Sequence, residues 1–171
     1  MEKMHKQAQS QVLRFQLGGE SYAFDVLKAR EVLSLVRITP LPSAMDFVSG
    51  VINLRGSVIP VVDLRKKFGL PPEEPTVDTS IIIVEIKAGD ETTVIGAMVD
   101  SVKGVMLCEE KELEPPPRFG MKMNTNLIQA IAKKGETFVI ILDADKVFSE
   151  SEISMIRDQV PVDAGNAAEG E

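Results

Sequence analysis

The sequence has few of the residues on which most catalytic and metal-binding sites depend. It contains one cysteine, Cys108, and one histidine, His5, which lies in a polar N-terminal stretch. A single cysteine excludes an internal disulfide, and one distant histidine excludes a zinc site built from clustered Cys and His ligands. A nucleophilic triad needs an imidazole held in place by packing. We therefore expect no enzyme, and neither a metal nor a cofactor.

Aromatic residues and long apolar runs are also scarce. Trp is absent and aromatic residues make up 5% of the chain, whereas hydrophobic residues together make up 44%. This composition predicts a globular protein with an aliphatic core. No apolar run approaches the roughly 20 residues of a membrane span, and the N-terminus lacks the apolar stretch of a signal peptide. We expect a cytoplasmic protein without direct membrane insertion.

Positive charge is the third shortage. The chain has 19 Lys and Arg against 26 Asp and Glu, which gives a formal net charge of -7. Nucleic-acid binding depends on Lys and Arg that neutralise phosphates, so we expect no nucleic-acid partner. The run Arg65-Lys66-Lys67 is interpreted as the solvated face of a short helix. The pair Asp143 and Asp145 resembles a carboxylate site for metal, but Asp143 is more simply the cap of a turn.

Short strands separated by turn residues occur in the same order in both halves of the chain. In the first half, alternating apolar residues predict strands over residues 12–17, 22–24, 32–35, 47–54 and 58–62. In the second half, the strands are predicted over residues 81–86, 93–99, 103–108, 127–132 and 137–142. Turns are expected at Gly18-Gly19 and Arg55-Gly56. A helical turn follows the second strand of each half, over residues 26–30, capped by Asp25, and over residues 100–102. Pro60 predicts an edge position or a bulge, because proline cannot donate to a ladder.

This repeat predicts two five-stranded units, each too small to bury much surface alone. Packed together, they would form two small barrels at about residues 12–75 and 80–148 with one shared aliphatic core. Residues 1–10 are expected to be a flexible arm and residues 161–171 a disordered tail. A C-terminal helix is expected over residues 149–160, capped by Ser149 or Ser151, with Ile153, Ile156 and Val160 on one face. Cys108 is expected to be a buried structural thiol.

With catalysis excluded, the chemistry that remains is binding through surfaces. A pair of small barrels leaves a groove at the junction between them, and a groove with an apolar floor accepts a helix. The strand edges and the barrel ends offer further docking faces.

One segment is more specific than any of these patterns. Residues 47–65 read FVSGVINLRGSVIPVVDLR, in which N-L-R-G is followed by three residues and then by P-V-x-D-L. The segment resembles the hallmark of the CheW family of chemotaxis coupling proteins. Other segments agree in order, namely YAFDVLKAREVL at residues 22–33, AMVDSVKGVMLC at residues 97–108, PPRFGMKMNTNLIQAI at residues 116–131 and FVIILDADKVF at residues 138–148. The resemblance covers about residues 12–157.

The resemblance implies both a fold and a function. The fold is all-β, with two intertwined five-stranded SH3-like barrels. The function is that of an adaptor between the cytoplasmic tip of methyl-accepting chemotaxis receptors and the regulatory domain of the CheA histidine kinase, whose autophosphorylation it controls. Such a protein is cytoplasmic and is recruited to membrane receptor arrays through its partners. The alternative is a CheW-like coupling protein of a parallel chemosensory pathway with a non-flagellar output.

The resemblance also places the receptor contacts around the first helical turn, the following strand and the N-L-R-G turn. The corresponding residues are Ala29, Glu31, Val32, Gly50, Arg55 and Gly56. No individual residue is assigned to the kinase contact.

Each receptor-contact residue also has a structural interpretation. Gly56 is expected to provide a positive φ in the turn. Gly50, in the middle of a strand, indicates a close approach by a receptor helix or by the other barrel. Arg55 would grip a receptor carboxylate or hold its own turn through backbone carbonyls. Val32 is expected in the core, whereas Ala29 and Glu31 are expected on the surface.

Overall fold

The chain folds mainly into β-strands over the residues that the computed structural model describes, which are 9–42, 45–116 and 125–159. The strands of the first half are β1 (Gln9–Leu17), β2 (Glu20–Asp25), β3 (Ala29–Ser34), β4 (Val48–Leu54) and β5 (Ser57–Asp63). Those of the second half are β6 (Ser80–Ala88), β7 (Glu91–Val99), β8 (Ser101–Glu109), β9 (Leu113–Glu114), β10 (Ile128–Lys134) and β11 (Thr137–Leu142). Two α-helices accompany them, α1 (Leu64–Lys67) and α2 (Glu150–Gln159).

The strands form two sheets, and each sheet takes strands from both halves of the chain. The six-stranded sheet has the order β8-β1-β2-β11-β10-β9, and the five-stranded sheet has the order β3-β6-β7-β5-β4. Parallel pairing of β11 with β2, and of β5 with β7, joins the two halves inside each sheet. The expected all-β fold of two intertwined SH3-like barrels is confirmed. The boundaries 12–75 and 80–148 do not correspond to the sheets, because the chain crosses between them after β2 and again after β7.

Three apolar clusters fill the structure. The largest takes buried side chains from both sheets and from α2, and its members include Phe15, Phe24, Ile82, Ile95 and Ile156. A second cluster around Cys108 belongs to the six-stranded sheet, and a third around Ile59 and Ile81 belongs to the five-stranded sheet. The shared core and the burial of Cys108 are confirmed.

The few aromatic residues are concentrated in that shared cluster. Phe15 lies against Phe24 with ring centroids 5.1 Å apart, and against Tyr22 at 6.0 Å. Phe47 and Phe148 form another pair at 5.9 Å. The core is mostly aliphatic, as predicted, but one stacked and two tilted ring pairs lie within the cluster that both sheets share.

The turn after β2 is present, but its predicted counterpart after β7 is not. Asp25 accepts a hydrogen bond from the backbone N–H of Leu27 at 2.9 Å, as expected of a cap. The helical turn predicted over residues 100–102 is wrong, because β8 begins at Ser101, directly after Asp100. The Asp100 carboxylate instead accepts a hydrogen bond from the backbone N–H of Gly18 at 2.8 Å.

Pro60 lies in an inner strand of the sheet, although an edge position was predicted. Only at Pro60 itself does the strand resemble an edge. β5 lies between β7 and β4, and Pro60 pairs with Val51 of β4. The parallel pairing with β7 begins only at Val61, so the strand has one unpaired side at Pro60. The missing N–H therefore removes no bond from the ladder between β5 and β7.

The basic run on α1 was predicted to be a solvated face, and this prediction is wrong. The Arg65 side chain is 9% exposed, pairs with Asp100 and donates from Nε to the Pro71 carbonyl at 3.0 Å. Lys67 Nζ lies 2.9 Å from a Glu152 carboxylate oxygen and 5.0 Å from the centroid of the Phe47 ring. Only Lys66 is exposed. The prediction fails because the partners of Arg65 and Lys67 come from distant parts of the chain.

The C-terminal helix is confirmed, and its first turn has a reciprocal cap. The Glu152 backbone N–H donates to Ser149 Oγ at 3.1 Å, and the Ser149 N–H donates to Glu152 Oε1 at 2.9 Å. This is a capping box, and it selects Ser149 as the cap. Ile153 and Ile156 are buried as predicted.

Three predictions at the ends of the chain have different outcomes. Val160 and the predicted tail over residues 161–171 lie outside the described residues, as do residues 1–8 of the predicted arm. Residues 9 and 10 belong to β1, so the predicted arm does not include them.

Candidate functional site

The residues expected at the receptor contact lie around the open seam of the five-stranded barrel. β3 and β4 are the two edge strands of this sheet. The segment after β3 pairs with β4 through a bridge between Thr39 and Val51, which draws the two edges together. The Arg55-Gly56 turn follows β4, so the barrel brings it next to β3. The sequence therefore folds two separate stretches of the resemblance into one surface.

Backbone geometry shapes the turn between β4 and β5. Arg55 has φ 52° and Gly56 has φ 90°, and two successive positive values are typical of a type I′ hairpin turn. Asn53 Oδ1 accepts a hydrogen bond from the Gly56 N–H at 2.8 Å and fixes the turn. A Cβ added at Gly56 would meet no atom within 4 Å, so glycine is needed there for its φ. The structural interpretation of Gly56 is confirmed.

Arg55 makes a contact that neither sequence interpretation anticipated. Its Nη1 donates to Glu31 Oε2 and its Nη2 donates to Glu31 Oε1, both at 2.8 Å. The Arg55 side chain is 70% exposed, and that of Glu31 is 30% exposed. Arg55 therefore grips a carboxylate, but one of its own chain on β3. Among the described residues, its side chain donates to no backbone carbonyl of the turn.

The pair alters the ionisation of both groups. The hydrogen bonds from Arg55 lower the pKa of the Glu31 carboxyl, and the charge of the guanidinium acts in the same direction. The same hydrogen bonds raise the pKa of Arg55. Both groups are therefore held in their charged forms at the surface.

Gly50 is buried, and its close neighbour belongs to its own barrel. Gly50 has a φ of 150°, and a Cβ added to it would lie 2.1 Å from the Thr39 carbonyl oxygen. The approach predicted from the mid-strand glycine is present. However, the approaching segment is the one that follows β3, and it is neither a receptor helix nor the other barrel. Gly50 thus sets how closely the barrel closes.

The burial of Val32 and Ala29 on β3 is the opposite of what was predicted. Val32 is 42% exposed, whereas Ala29 is half-buried and packs against the shared core. Glu31 is also half-buried. Leu33 packs into the cluster inside the five-stranded barrel, so its neighbour Val32 must point outward. The prediction of Val32 in the core and of Ala29 on the surface is wrong for that reason.

Sequence patterns missed the apolar surface and the cleft beside this pair. Leu35 and Val36, directly after β3, are 36% and 42% exposed and extend the apolar surface of Val32. The pair also borders a cleft of about 330 Å³, here called the pair cleft. Its lining residues include Arg30, Glu31, Leu54, Arg55, Ile59 and Val94. An apolar floor with a charged rim suits the docking of an amphipathic helix.

The other candidate sites have structural roles. Asp143 caps the turn after β11 by accepting a hydrogen bond from the Asp145 N–H at 3.0 Å. Asp145 Oδ1 accepts hydrogen bonds from Lys28 Nζ and from the Lys87 N–H, both at 2.8 Å. Within the described residues, no three potential metal-ligating side chains come together. Burial raises the pKa of the Cys108 thiol, which disfavours the reactive thiolate.

Membrane-spanning helices are absent from the described ranges. Neither α1 nor α2 has the length and apolar character needed to cross a bilayer.

Comparisons with known proteins agree on one family. Residues 11–152 match the CheW-like domain. The chain is 36% identical to a chemotaxis protein CheW of Thermotoga maritima, across 82% of this chain and 88% of the relative. It is 35% identical to that of Bacillus subtilis, across 85% and 91%. The crystal structure of the scaffolding protein TtCheW from Thermoanaerobacter tengcongensis is similar with a TM-score of 0.75 and 34% identity, covering 84% of this chain and 96% of that one.

Proposed function

The chain belongs to the CheW family and is a chemotaxis adaptor, and from this premise we propose which partners it joins. One partner is the cytoplasmic tip of methyl-accepting chemotaxis receptors, and the other is the regulatory domain of the CheA histidine kinase. By holding them together, the chain controls the autophosphorylation of the kinase. The alternative of a parallel pathway with a non-flagellar output is not favoured, because the relatives are named as chemotaxis proteins.

The receptor side of this proposal depends on one observation, the exposed ion pair of Arg55 with Glu31 beside an apolar cleft. A guanidinium has five N–H donors, and Glu31 occupies two of them. The remaining donors of an exposed side chain are available to a carboxylate on a partner helix. Glu31 meanwhile holds the guanidinium in one orientation, which reduces the entropy lost on binding.

The six residues expected at the receptor contact have different roles in this proposal. Glu31, Val32 and Arg55 contact the receptor directly, because their side chains reach the surface. Gly56 shapes the turn that carries Arg55. Ala29 and Gly50 act indirectly through packing, since Ala29 packs against the core and Gly50 is buried against Thr39.

We propose that the kinase binds to the six-stranded barrel. Binding there leaves the pair cleft open to the receptor. Val105 and Leu107 on the edge strand β8 are 58% and 45% exposed. Their neighbours Met106 and Cys108 turn into the interior, so the exposed pair forms a small apolar strip. Apolar side chains on an edge strand favour contact with another protein.

We place the chain in the cytoplasm, recruited to receptor arrays through its partners. It acts without a cofactor or a catalytic step of its own. Its effect on the kinase is then an effect of binding, in which receptor state reaches CheA through the assembled complex.

The experiment that tests the proposal separates the two sides. Purified chain is captured on an immobilised receptor cytoplasmic fragment, and in a second assay on the regulatory domain of CheA. The Arg55→Ala variant should weaken receptor capture and keep kinase capture, whereas Val105→Ser combined with Leu107→Ser should do the reverse. Equal losses in both assays for either variant would refute separate surfaces.

A further inference from the structure

A second cleft lies beside the last turn of α2. It has a volume of about 420 Å³ and opens between the starts of β5 and β7. We call it the helix-end cleft. Its lining includes Val58, Ile59, Pro60, Val94, Ile156 and Arg157. Most of these side chains are apolar, so the cleft has an apolar floor with a guanidinium at its edge.

The helix-end cleft and the pair cleft share part of this floor. Ile59 and Val94 line both of them. The parallel pairing of β5 with β7 begins at Val61 and Gly96, two residues later on each strand. The two clefts therefore form one continuous groove at this end of the five-stranded barrel, here called the joined groove. A helix that fills the pair cleft and continues past Ile59 and Val94 enters the helix-end cleft.

Each of the two clefts contains an ion pair between an arginine and a glutamate. In the pair cleft, Arg55 is bound to Glu31. In the helix-end cleft, Arg157 Nη1 pairs with the Glu91 carboxylate, and Arg157 Nε donates to Thr93 Oγ1 at 2.7 Å. The Glu91 side chain is 70% exposed. An ion pair this exposed contributes little to folding, so its guanidinium can be shared with a partner.

Arg157 also has a donor without an acceptor. Its Nη2 is buried and has no hydrogen-bond partner among the described residues. A buried N–H without an acceptor is unfavourable. The Arg157 side chain is 30% exposed, so the guanidinium can be reached from the groove. A carboxylate that arrives there supplies the missing acceptor once the guanidinium turns towards it.

The charge of the joined groove favours an acidic partner. Its two clefts are lined by three arginines and two glutamates, namely Arg30, Arg55, Arg157, Glu31 and Glu91. This is a local surplus of one positive charge on a chain whose formal net charge is -7. Complementary charge selects a partner and fixes its register. The apolar floor between the arginines suits the apolar stripe of an amphipathic helix.

We propose that the joined groove binds one amphipathic helix of the receptor, with Arg55 as its first anchor and Arg157 as its second. The apolar stripe of that helix covers Ile59 and Val94, and carboxylates near both ends of the stripe meet the two guanidiniums. The inference rests on the proposed receptor contact at the pair cleft. It extends that contact to the last turn of the C-terminal helix.

The test measures capture of the full chain on the immobilised receptor cytoplasmic fragment at physiological salt. Arg157→Lys keeps the positive charge but loses the planar fork, and it should weaken capture by about fivefold. Glu91→Gln should have the opposite effect and tighten capture by about threefold, because it releases Arg157 for the partner carboxylate. Damage to the fold does not produce tighter binding, so this second variant separates a contact from a structural role.

Glu136→Gln is the matched control, because it removes the same charge from the exposed turn between β10 and β11 on the other barrel. It should leave capture unchanged. Weaker capture with Arg157→Lys but no gain with Glu91→Gln would overturn the inference, since Arg157 would then have only a structural role.

Two further outcomes separate this inference from the proposed function. If Arg55→Ala weakens capture while the Arg157 and Glu91 variants leave it unchanged, the receptor contact ends at the pair cleft. The second anchor is then refuted and the proposed function stands. If none of the three variants changes capture, the proposed receptor site and the joined groove are both refuted.

Discussion

Arg55 and Glu31 are joined by two N–H···O bonds of 2.8 Å each, although 24 residues separate them in the sequence. The pair connects β3 to the turn after β4, and these two strands are the opposite edges of the five-stranded sheet. Exposed ion pairs contribute little to folding. Removal of the Arg55–Glu31 pair therefore tests partner binding with little disturbance of the fold.

The first prediction concerns the side chain of Arg55. Arg55→Ala should leave the melting temperature almost unchanged, because the side chain is 70% exposed. The same variant should weaken capture by a receptor fragment by about tenfold, the scale of losing one charge-assisted contact. Thermal melts and pull-downs on purified protein measure both quantities.

Lys103→Ala is the matched control, since it removes a positive charge from an exposed site on the other barrel. It should leave capture unchanged. Collapse of the Arg55→Ala fold would remove the functional interpretation of this residue.

The second prediction concerns the pKa of Glu31. Hydrogen bonds from Arg55 lower this pKa in the folded protein, so Arg55→Ala should raise it towards its ordinary value. A lowered folded pKa contributes stability above the unfolded pKa and loses it as the pH falls through the folded pKa. Any stability difference between the two proteins is therefore small near neutral pH and should disappear as the pH falls through the folded pKa of Glu31.

Carbon-13 NMR titration of the carboxyl groups measures this shift. Glu112 is the internal control, because its pKa is lowered by the Glu109 N–H and by Lys134, far from Arg55. An unchanged Glu31 pKa in the variant would show that the pair does not form in solution.

The third prediction concerns Gly50. Gly50→Ala would place a Cβ 2.1 Å from the Thr39 carbonyl oxygen, so the barrel seam must open. We expect a loss of more than about 3 kcal/mol in the free energy of unfolding. Gly135→Ala has a positive φ but no atom within 4 Å of the added Cβ, and it should lose only about 1 kcal/mol. Equal losses in urea unfolding would contradict the close approach.

Local signals in the sequence predicted the local structure well. Asp25 and Ser149 cap the elements that follow them, and Gly56 provides the positive φ of its hairpin. Cys108 and Met106 share a strand face because side chains alternate along a strand. In each case a residue and its neighbours carry all the information needed.

Contacts between distant residues could not be predicted in this way. Nothing near Arg55 indicates Glu31, and nothing near Gly50 indicates Thr39, because the closure of the barrel brings each pair together. The exposure of Val32 depends on Leu33 entering the interior, which the apolar pattern of β3 leaves undetermined. The site was therefore predicted as a set of segments, and its geometry came from the fold.

The fourth prediction concerns the basic run on α1. Arg65→Ala should lower the free energy of unfolding by about 3 kcal/mol, because the Pro71 carbonyl loses its guanidinium donor and Asp100 loses its charged partner while keeping the Gly18 N–H. Lys66→Ala, one residue away and exposed, should change it by less than about 0.5 kcal/mol. Chemical denaturation compares the two variants. Similar values would mean that Arg65 is solvated after all.

The central claim is that this chain couples receptors to a kinase, and reconstitution tests it most directly. CheA autophosphorylation is measured with receptor fragments, with and without the purified chain. The account predicts that receptor control of the kinase appears only when the chain is present, and that it is weakened by Arg55→Ala but kept with Lys66→Ala, which removes an exposed positive charge from α1. Kinase activity that responds to receptors equally well without the chain would contradict it.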